Sequence, residues 1–168
     1  MKAREVANTL QEKMPQNKIH EAFDQVRVDV SKEDLKEVLR FLKDSGFSVL
    51  MDLTAVDYIE PQVVTHVFYF LHDPENLEKI RVVTPVKREE SLPSVTDLFE
   101  SADWYEREVY DMFGVAFTSH PDLKRILMPD DWKGHPQRRD YALTEESVEY
   151  KHGVKPKVPS MIIPHVKD

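Results

Sequence analysis

Two carboxylates near the middle of the chain are of the residue type that performs acid–base chemistry. Glu106 and Glu108 are two positions apart, and paired carboxyl groups can act as general acid and general base when both face one substrate. In a helix, two positions differ by about 200° around the axis. The two side chains therefore do not converge, and we interpret them as part of a charged helix face.

A second group of residues offers metal ligands. His120, Asp122, Asp130, Asp131 and His135 combine imidazole and carboxylate groups, which divalent metals bind. Their spacing has no fixed local geometry such as His-Glu-x-x-His, and the surrounding sequence is typical of a loop. A loop is therefore the favoured interpretation. A metal-dependent enzyme that uses His120, Asp122 and His135 remains the alternative hypothesis.

The same region carries a basic cluster that acidic residues nearly neutralise. The members are Lys133, His135, Arg138 and Arg139, flanked by Asp130, Asp131 and Asp140. The whole chain has a net charge of −8, and binding to a nucleic-acid backbone depends on a clear excess of Lys and Arg. We therefore expect no nucleic-acid partner. The pattern favours a surface that meets complementary charges on a protein partner.

The composition excludes much familiar cofactor chemistry. The 168 residues include no cysteine and four widely spaced glycines. A chain without cysteine has no thiolate zinc site and no cysteine-ligated iron–sulfur cluster, and phosphate-binding loops need clustered glycines. We therefore expect no cofactor in this chain. No targeting or membrane-spanning segment is recognisable, so a cytoplasmic location is expected.

The elements that must position these residues indicate an α+β fold. A short charged helix ends near Pro15, an alternating strand covers residues 26–30, and a helix follows that begins at Ser31 and stops at Gly46. Three strands joined by short turns come next, at residues 47–56, 63–72 and 80–86. Strands in this order predict a mainly antiparallel sheet with helices packed on it.

Two further helices are predicted, at residues 93–99 and 103–113. In the second, the spacing of Tyr105, Val109, Met112 and Phe113 directs these side chains to the core. The remaining surface then receives Arg107, Glu108, Tyr110 and Asp111, with Arg107 able to pair with Asp103 and Asp111. Asp103 and Glu106 can cap the start of this helix, and Gly114 can end it.

Charge and proline content both change after residue 114. Residues 1–114 hold 14 basic and 23 acidic residues, whereas residues 115–168 hold 9 and 8, with six of the eleven prolines. We interpret residues 1–114 as a folded α+β body and residues 115–168 as an extended, irregular C-terminal arm. The arm has no periodicity for a core of its own, and Trp132 and Tyr141 among paired charges favour contact with a partner.

Residues 104–141 resemble one protein family. The run Trp-Tyr-Glu-Arg-Glu-Val-Tyr-Asp-Met-Phe-Gly-Val at residues 104–115 continues without a gap through His-Pro-Asp-Leu at 120–123, Lys-Arg-Ile-Leu at 124–127, Asp-Trp at 131–132, Gly-His-Pro at 134–136 and Arg-Arg-Asp-Tyr at 138–141. This stretch is similar to the NuoC-type subunit of the proton-pumping NADH:quinone oxidoreductase, respiratory complex I.

The resemblance implies a non-catalytic member of the hydrophilic arm. Such a subunit binds no flavin, iron–sulfur cluster or quinone itself. It packs against the quinone-site subunit, which resembles a hydrogenase large subunit, and lies close to the iron–sulfur subunits. Its C-terminal arm reaches over the quinone-site subunit. The motif residues then organise the arm and its interface: Glu106, Arg107, Glu108, Asp111, Gly114, His120, Arg125, Asp131, Trp132, Arg138 and Asp140.

The resemblance also implies a reaction for the complex and a cellular location for the subunit. The complex transfers electrons from NADH to quinone and couples this to proton translocation, and the subunit lies peripherally on the cytoplasmic side of the cell membrane. Related subunits occur in membrane-bound hydrogenases and in ferredoxin- or deazaflavin-linked dehydrogenases. A homologous subunit of such a complex is therefore a second hypothesis.

Overall fold

The computed structural model describes residues 3–23, 25–59 and 62–141 of the chain. It has the predicted α+β architecture. Along the chain the elements are α1 (Ala3–Lys13), β1 (Lys18–Ala22), β2 (Gln25–Asp29), α2 (Leu35–Asp44), β3 (Val49–Tyr58), β4 (Val64–Asp73), β5 (Glu78–Val86), β6 (Ser91–Pro93), α3 (Ala102–Phe113) and β7 (Ala116–Thr118).

The main sheet has five strands in the order β1-β2-β5-β4-β3. Every neighbouring pair is antiparallel except β2 and β5, which run parallel. The turn between β4 and β5 is closed by the Asp73 carboxylate, which accepts hydrogen bonds from the backbone N–H groups of Glu75 and Asn76, as aspartate commonly does in turns. The mainly antiparallel sheet predicted from the sequence is confirmed.

The helices and the core occupy one face of this sheet. Along β4, the buried Val67, Tyr69 and Leu71 alternate with half-buried residues on the other face, because successive strand side chains point in opposite directions. Buried residues of α1, α2 and α3 join the inward-facing strand residues in a single apolar cluster. The second face is free of helices in the described part of the chain.

Most predicted elements are confirmed, and one helix is wrong. Pro93 ends β6, and residues 95–99 form a single turn in which the Phe99 N–H donates to the Val95 carbonyl. The expected helix does not form because Ser91–Pro93 pair with β7 as strand β6, and the single turn that is left is too short to propagate as a helix. Strands β1, β6 and β7 were not predicted.

The start of α2 also differs from the expectation. The helix begins at Leu35 after the cap residue Asp34, which makes no side-chain capping bond. Ser31 lies one turn earlier, where its hydroxyl accepts the Asp34 N–H at 3.3 Å. Gly46 and Gly114 both adopt the predicted left-handed backbone conformation.

Residues 115–141 lie on the body. Val115 and Phe117 are buried in the same apolar cluster as the helices, and β7 pairs in parallel with β6. The proposed boundary after residue 114 stays a prediction, as does an extended arm over 142–168, which lies outside the described residues. Within the described ranges, no helix is both long enough and apolar enough to cross a bilayer.

Candidate functional site: helix α3 and the loop it holds

Helix α3 buries three charged side chains. Glu106 and Asp111 are fully buried and Arg107 is nearly so, although Arg107 and Asp111 were predicted to lie on the surface. Val109, Met112 and Phe113 are buried as predicted, and Tyr105 is half-buried. The amphipathic pattern failed for the charged residues because the loop of residues 119–141 covers the side of the helix that periodicity alone assigns to solvent.

Asp111 holds the first part of this loop. Its Oδ2 atom accepts the backbone N–H groups of Ile126, Leu127 and Met128 at 2.8–3.1 Å, and its Oδ1 atom is 2.6 Å from Nη1 of Arg125. Burial raises the pKa of the Asp111 carboxyl, but these donors outweigh burial and leave the pKa below its ordinary value. The charged carboxylate is therefore the form that the loop requires.

Arg125 and His135 extend the attachment to the next part of the loop. Arg125 donates from Nη2 to the Gly134 carbonyl at 2.9 Å, and Nδ1 of His135 is 3.0 Å from the Asp111 carbonyl. The His135 ring also meets the Tyr110 ring edge to face, with 5.9 Å between centroids. Both ends of residues 125–135 are thus bound to the last turn of α3.

Gly114 ends α3 at a place where a side chain does not fit. It has a φ of +72°, and its N–H donates to the Tyr110 carbonyl. Arg138 crosses directly over it and donates to the carbonyls of Phe113 and Gly114 at 2.6 and 3.2 Å. A Cβ atom on Gly114 would lie under 3.0 Å from both Arg138 and His135. Glycine is required here by the conformation and by the close approach of the arginine.

Arg107 does not make the ion pairs predicted for it. Its guanidinium lies 4.7 Å above the centroid of the Trp104 ring, and its Nε donates to the Lys124 carbonyl at 3.2 Å. Asp111 is instead occupied by Arg125, so sequence spacing along the helix did not identify its partner. Arg107 therefore fastens the loop and supports an exposed tryptophan.

Glu106 neither caps the helix nor lies on a charged face. The cap residue of α3 is Ser101, without a side-chain capping bond, and Glu106 points into the core, where Oε1 accepts the Val95 N–H at 2.8 Å. Burial raises the pKa of Glu106 to about 7. Its Oε2 atom lies 3.9 Å from Nε2 of His120. Glu106 and Glu108 do not form a catalytic pair, because Glu108 is exposed.

The three proposed metal ligands do not come together. Nε2 of His120 is 3.2 Å from the Asp103 carbonyl, and Nδ1 accepts the Asp122 N–H at 3.0 Å. The Asp122 carboxylate pairs with Lys124 at 2.6 Å, whereas His135 lies against Asp111. Among the described residues, no group of three histidine or acidic side chains could hold a metal ion. The candidate metal site is therefore not assembled.

A second buried ion pair ties the end of the loop to the sheet. Arg88 holds the Asp57 carboxylate with both Nη atoms, at 2.5 and 2.6 Å. Thr65 and the Arg139 N–H donate to the same carboxylate at 2.9 Å, and Asp140 lies 3.4 Å from Arg88. Sequence reasoning missed this site. Asp57 continues the inward-facing positions of Leu53 and Ala55 along β3. This alternation was the sequence signal that could have identified Asp57 as buried.

The remaining motif residues face outward. Trp104 is 61% exposed, and Glu108, Asp131 and Asp140 are exposed. Trp132 is partly buried, and its indole N–H has no acceptor among the described residues. The motif thus includes buried residues that hold the loop, such as Asp111, and residues with exposed side chains, such as Trp104 and Asp131.

Comparison with known proteins defines the class. The family described as respiratory-chain NADH dehydrogenase, 30 Kd subunit, matches residues 28–147. The C subunit of the NADH-quinone oxidoreductase of Citrifermentans bemidjiense is 49% identical over 71% of this chain and 75% of its own length. That of Salinispora tropica is 42% identical over 88% of this chain and 64% of its own length. The chain belongs to this family, the NuoC-type subunits of respiratory complex I.

Solved structures agree with the fold. A trypsin-resistant fragment (1-134) of Nqo5 is 32% identical, covering 73% of this chain and all of that fragment, with a TM-score of 0.66. A chain of an archaeal membrane-bound sulfane sulfur reductase aligns over 91% of this chain and 98% of its own length, with a TM-score of 0.75 and 23% identity. At that identity the second likeness concerns the fold alone. The recognition made from residues 104–141 is confirmed.

Proposed function

We propose that this chain is a non-catalytic member of NADH-quinone oxidoreductase that scaffolds the quinone-site subunit. The observation that carries the proposal is what the buried charged residues of the motif bind. Asp111, Arg125 and Arg138 are each bound to the loop or to the end of α3. They fix the shape of a surface, and their polar atoms do not converge on an open cleft.

The exposed motif residues supply the partner surface in this proposal. Trp104 presents an aromatic ring stiffened by Arg107 beneath it, and tryptophan and arginine are enriched at the energetic centres of protein interfaces. Asp131 and Asp140 add charges at the rim. The quinone-site subunit and the iron–sulfur subunits beside it are the proposed partners, in a complex that passes electrons from NADH to quinone and translocates protons.

The flavin and the iron–sulfur clusters belong to partner subunits in this proposal. The described residues offer no cysteine ligand and no assembled metal site. The chain is held peripherally at the cytoplasmic side of the membrane through the rest of the complex. The purified protein is expected to show no visible absorption and no NADH oxidation.

Coexpression with the quinone-site subunit tests the proposal. Trp104→Ala should lower co-purification of that subunit at least tenfold, because an exposed aromatic anchor is lost. Val63→Ala is the matched control, since Val63 is exposed and lies outside the motif. Melting temperatures of both isolated variants should stay close to that of the unchanged protein. If Trp104→Ala binds the quinone-site subunit as well as the control does, the proposed interface is wrong.

A further inference from the structure

Two exposed apolar side chains project from one end of the main sheet. Phe23 lies in the turn before β2 and is 99% exposed, and Leu77 lies in the turn before β5 and is 78% exposed. Val26 and Ile80 are register partners in these parallel strands, and Phe23 and Leu77 each precede their partner by three residues. The two turns therefore lie side by side.

Both residues also occupy an unfavourable backbone conformation. Phe23 has a φ of +50° and Leu77 a φ of +57°. This left-handed region suits glycine and asparagine, and a bulky side chain there is uncommon. Neither side chain contributes to the core. Folding alone therefore does not explain a phenylalanine and a leucine at these two turn positions.

A cavity opens beside these turns on the sheet face that the helices leave uncovered. Its volume is about 330 Å³, and it is lined by Met51 and Phe70 and bordered by Val26 and Ile80, which belong to the buried core. The cations Lys79 and Arg81 on β5 also line the cavity. Phe70 on β4 lies between Arg81 and Asp52, because it is in register with Arg81 on one side and with Asp52 on the other.

Lys79 and Arg81 have no partner within the part of the chain that the structure describes. Among the described residues, neither Lys79 nor Arg81 has an ion pair or a side-chain hydrogen bond, and the buried Nε of Arg81 lacks an acceptor. The neighbouring Arg27, which is in register with Arg81, is by contrast paired with Asp29 at 2.5 Å. A buried donor without an acceptor is costly, so an acceptor from outside the chain fits this position.

We propose that this end of the sheet binds a segment of a partner protein that presents a carboxylate next to an apolar side chain. The carboxylate pairs with Arg81 and Lys79, the apolar side chain enters the cavity, and Phe23 and Leu77 pack against the flanks of the segment. The residues that line the cavity include two cations, Lys79 and Arg81, against one carboxylate, Asp52, and this positive balance selects an acidic segment. The site is separate from the exposed motif residues and does not depend on the scaffolding of the quinone-site subunit.

Site-specific photocrosslinking in the assembled complex tests the proposal. Phe23 is replaced by p-benzoylphenylalanine, and the same replacement of Val63 serves as the control. Val63 is exposed and precedes β4, so it lies at the opposite end of that strand from the turn that contains Leu77. The expected product from position 23 is one peptide of another subunit in which Asp or Glu neighbours Leu, Ile, Met, Val or Phe. Position 63 should not give that peptide.

Charge reversal supplies the second readout. Lys79→Glu and Arg81→Glu should each lower the yield of this crosslink at least tenfold, and Arg81→Lys should retain most of it. Lys79 is exposed, so Lys79→Glu keeps the test valid if Arg81→Glu fails to fold. A crosslink to lipid, no crosslink, or a yield unchanged by Lys79→Glu would overturn the proposal. A crosslink that persists when Trp104→Ala has weakened binding of the quinone-site subunit separates this site from the proposed scaffold surface.

Discussion

The carboxylate of Asp111 and the guanidinium of Arg125 meet at 2.6 Å across the boundary between α3 and the loop that follows it. Arg125 is 14% exposed and Asp111 is fully buried. The pair is thus largely shielded from water, and three backbone N–H groups complete the solvation of the carboxylate. This contact fastens residues 125–128 to the helix, and Leu123 and Met128 add apolar packing of the loop against the core.

Asp111→Asn should destabilise the protein strongly. The substitution leaves Arg125 without its counter-charge and places an amide against N–H donors, and breaking one side of a buried pair costs about 3–5 kcal/mol. Urea unfolding of the full chain measures this loss. Hydrogen exchange at residues 126–128 should accelerate more than exchange in β4.

Glu108→Gln is the control for this prediction. Glu108 is on the same helix but exposed, so its free energy of unfolding should stay within about 0.5 kcal/mol of the original. Equal destabilisation by both substitutions would show that the role assigned to Asp111 is wrong.

Gly114→Ala should cost more stability than Gly134→Ala. Both glycines have positive φ, so both substitutions carry the same backbone penalty of about 1 kcal/mol. At Gly114 the new methyl group also displaces Arg138 and His135, whereas at Gly134 it meets the edge of the Tyr141 ring at 2.8 Å. The difference between the melting temperatures of the two variants measures the additional clash with Arg138 and His135 at Gly114. A larger loss at Gly134 would contradict the close packing of Arg138 on the helix end.

The sequence was a good guide to the elements with strong periodicity. Helices α1, α2 and α3, strands β2 to β5 and the stop at Gly114 all follow from apolar spacing and turn residues. Strand β1 was missed because its residues are mostly exposed, so no buried face marks it. Strands β6 and β7 have three residues each, which is too short for a periodic signal.

The site was harder to predict because its partners are distant in the chain. Asp57 and Arg139 are 82 positions apart, and no spacing rule links them. Within α3, helical periodicity predicted Arg107 and Asp111 to lie on the surface because it identifies only the apolar face of the helix. It contains no information about a loop, more distant in sequence, that covers the opposite side. The resemblance marked the right stretch of chain. It did not reveal which motif residues bind the loop and which face a partner.

Asp57→Ala should release the end of the loop while leaving the sheet in place. The change removes the acceptor of the Arg139 N–H and leaves Arg88 without its main partner. Trypsin should then cleave after Arg138 or Arg139 at least tenfold faster. Asp52→Ala, on the exposed face of the same strand, should leave the cleavage rate unchanged. Slow cleavage in both variants would mean that other contacts hold this part of the loop.

Glu106→Gln should change how stability depends on pH. The pKa of Glu106 is about 7 in the folded protein and close to 4.5 in the unfolded chain, so the folded state retains a proton that the unfolded state releases between these values. The free energy of unfolding contributed by this group therefore falls as pH rises from about 4.5 to 7, and it is constant above 7. A shift of this size corresponds to roughly 3 kcal/mol.

Glutamine stays neutral and can still accept the Val95 N–H. The difference in unfolding free energy, variant minus original, should therefore increase across this window and favour the variant at pH 8. Other groups that titrate in the window are unchanged in the variant, so the difference cancels them to first order. Urea titrations of both proteins at pH 5, 6, 7 and 8 measure it. A difference independent of pH would show that Glu106 is ionised in the folded core throughout this range.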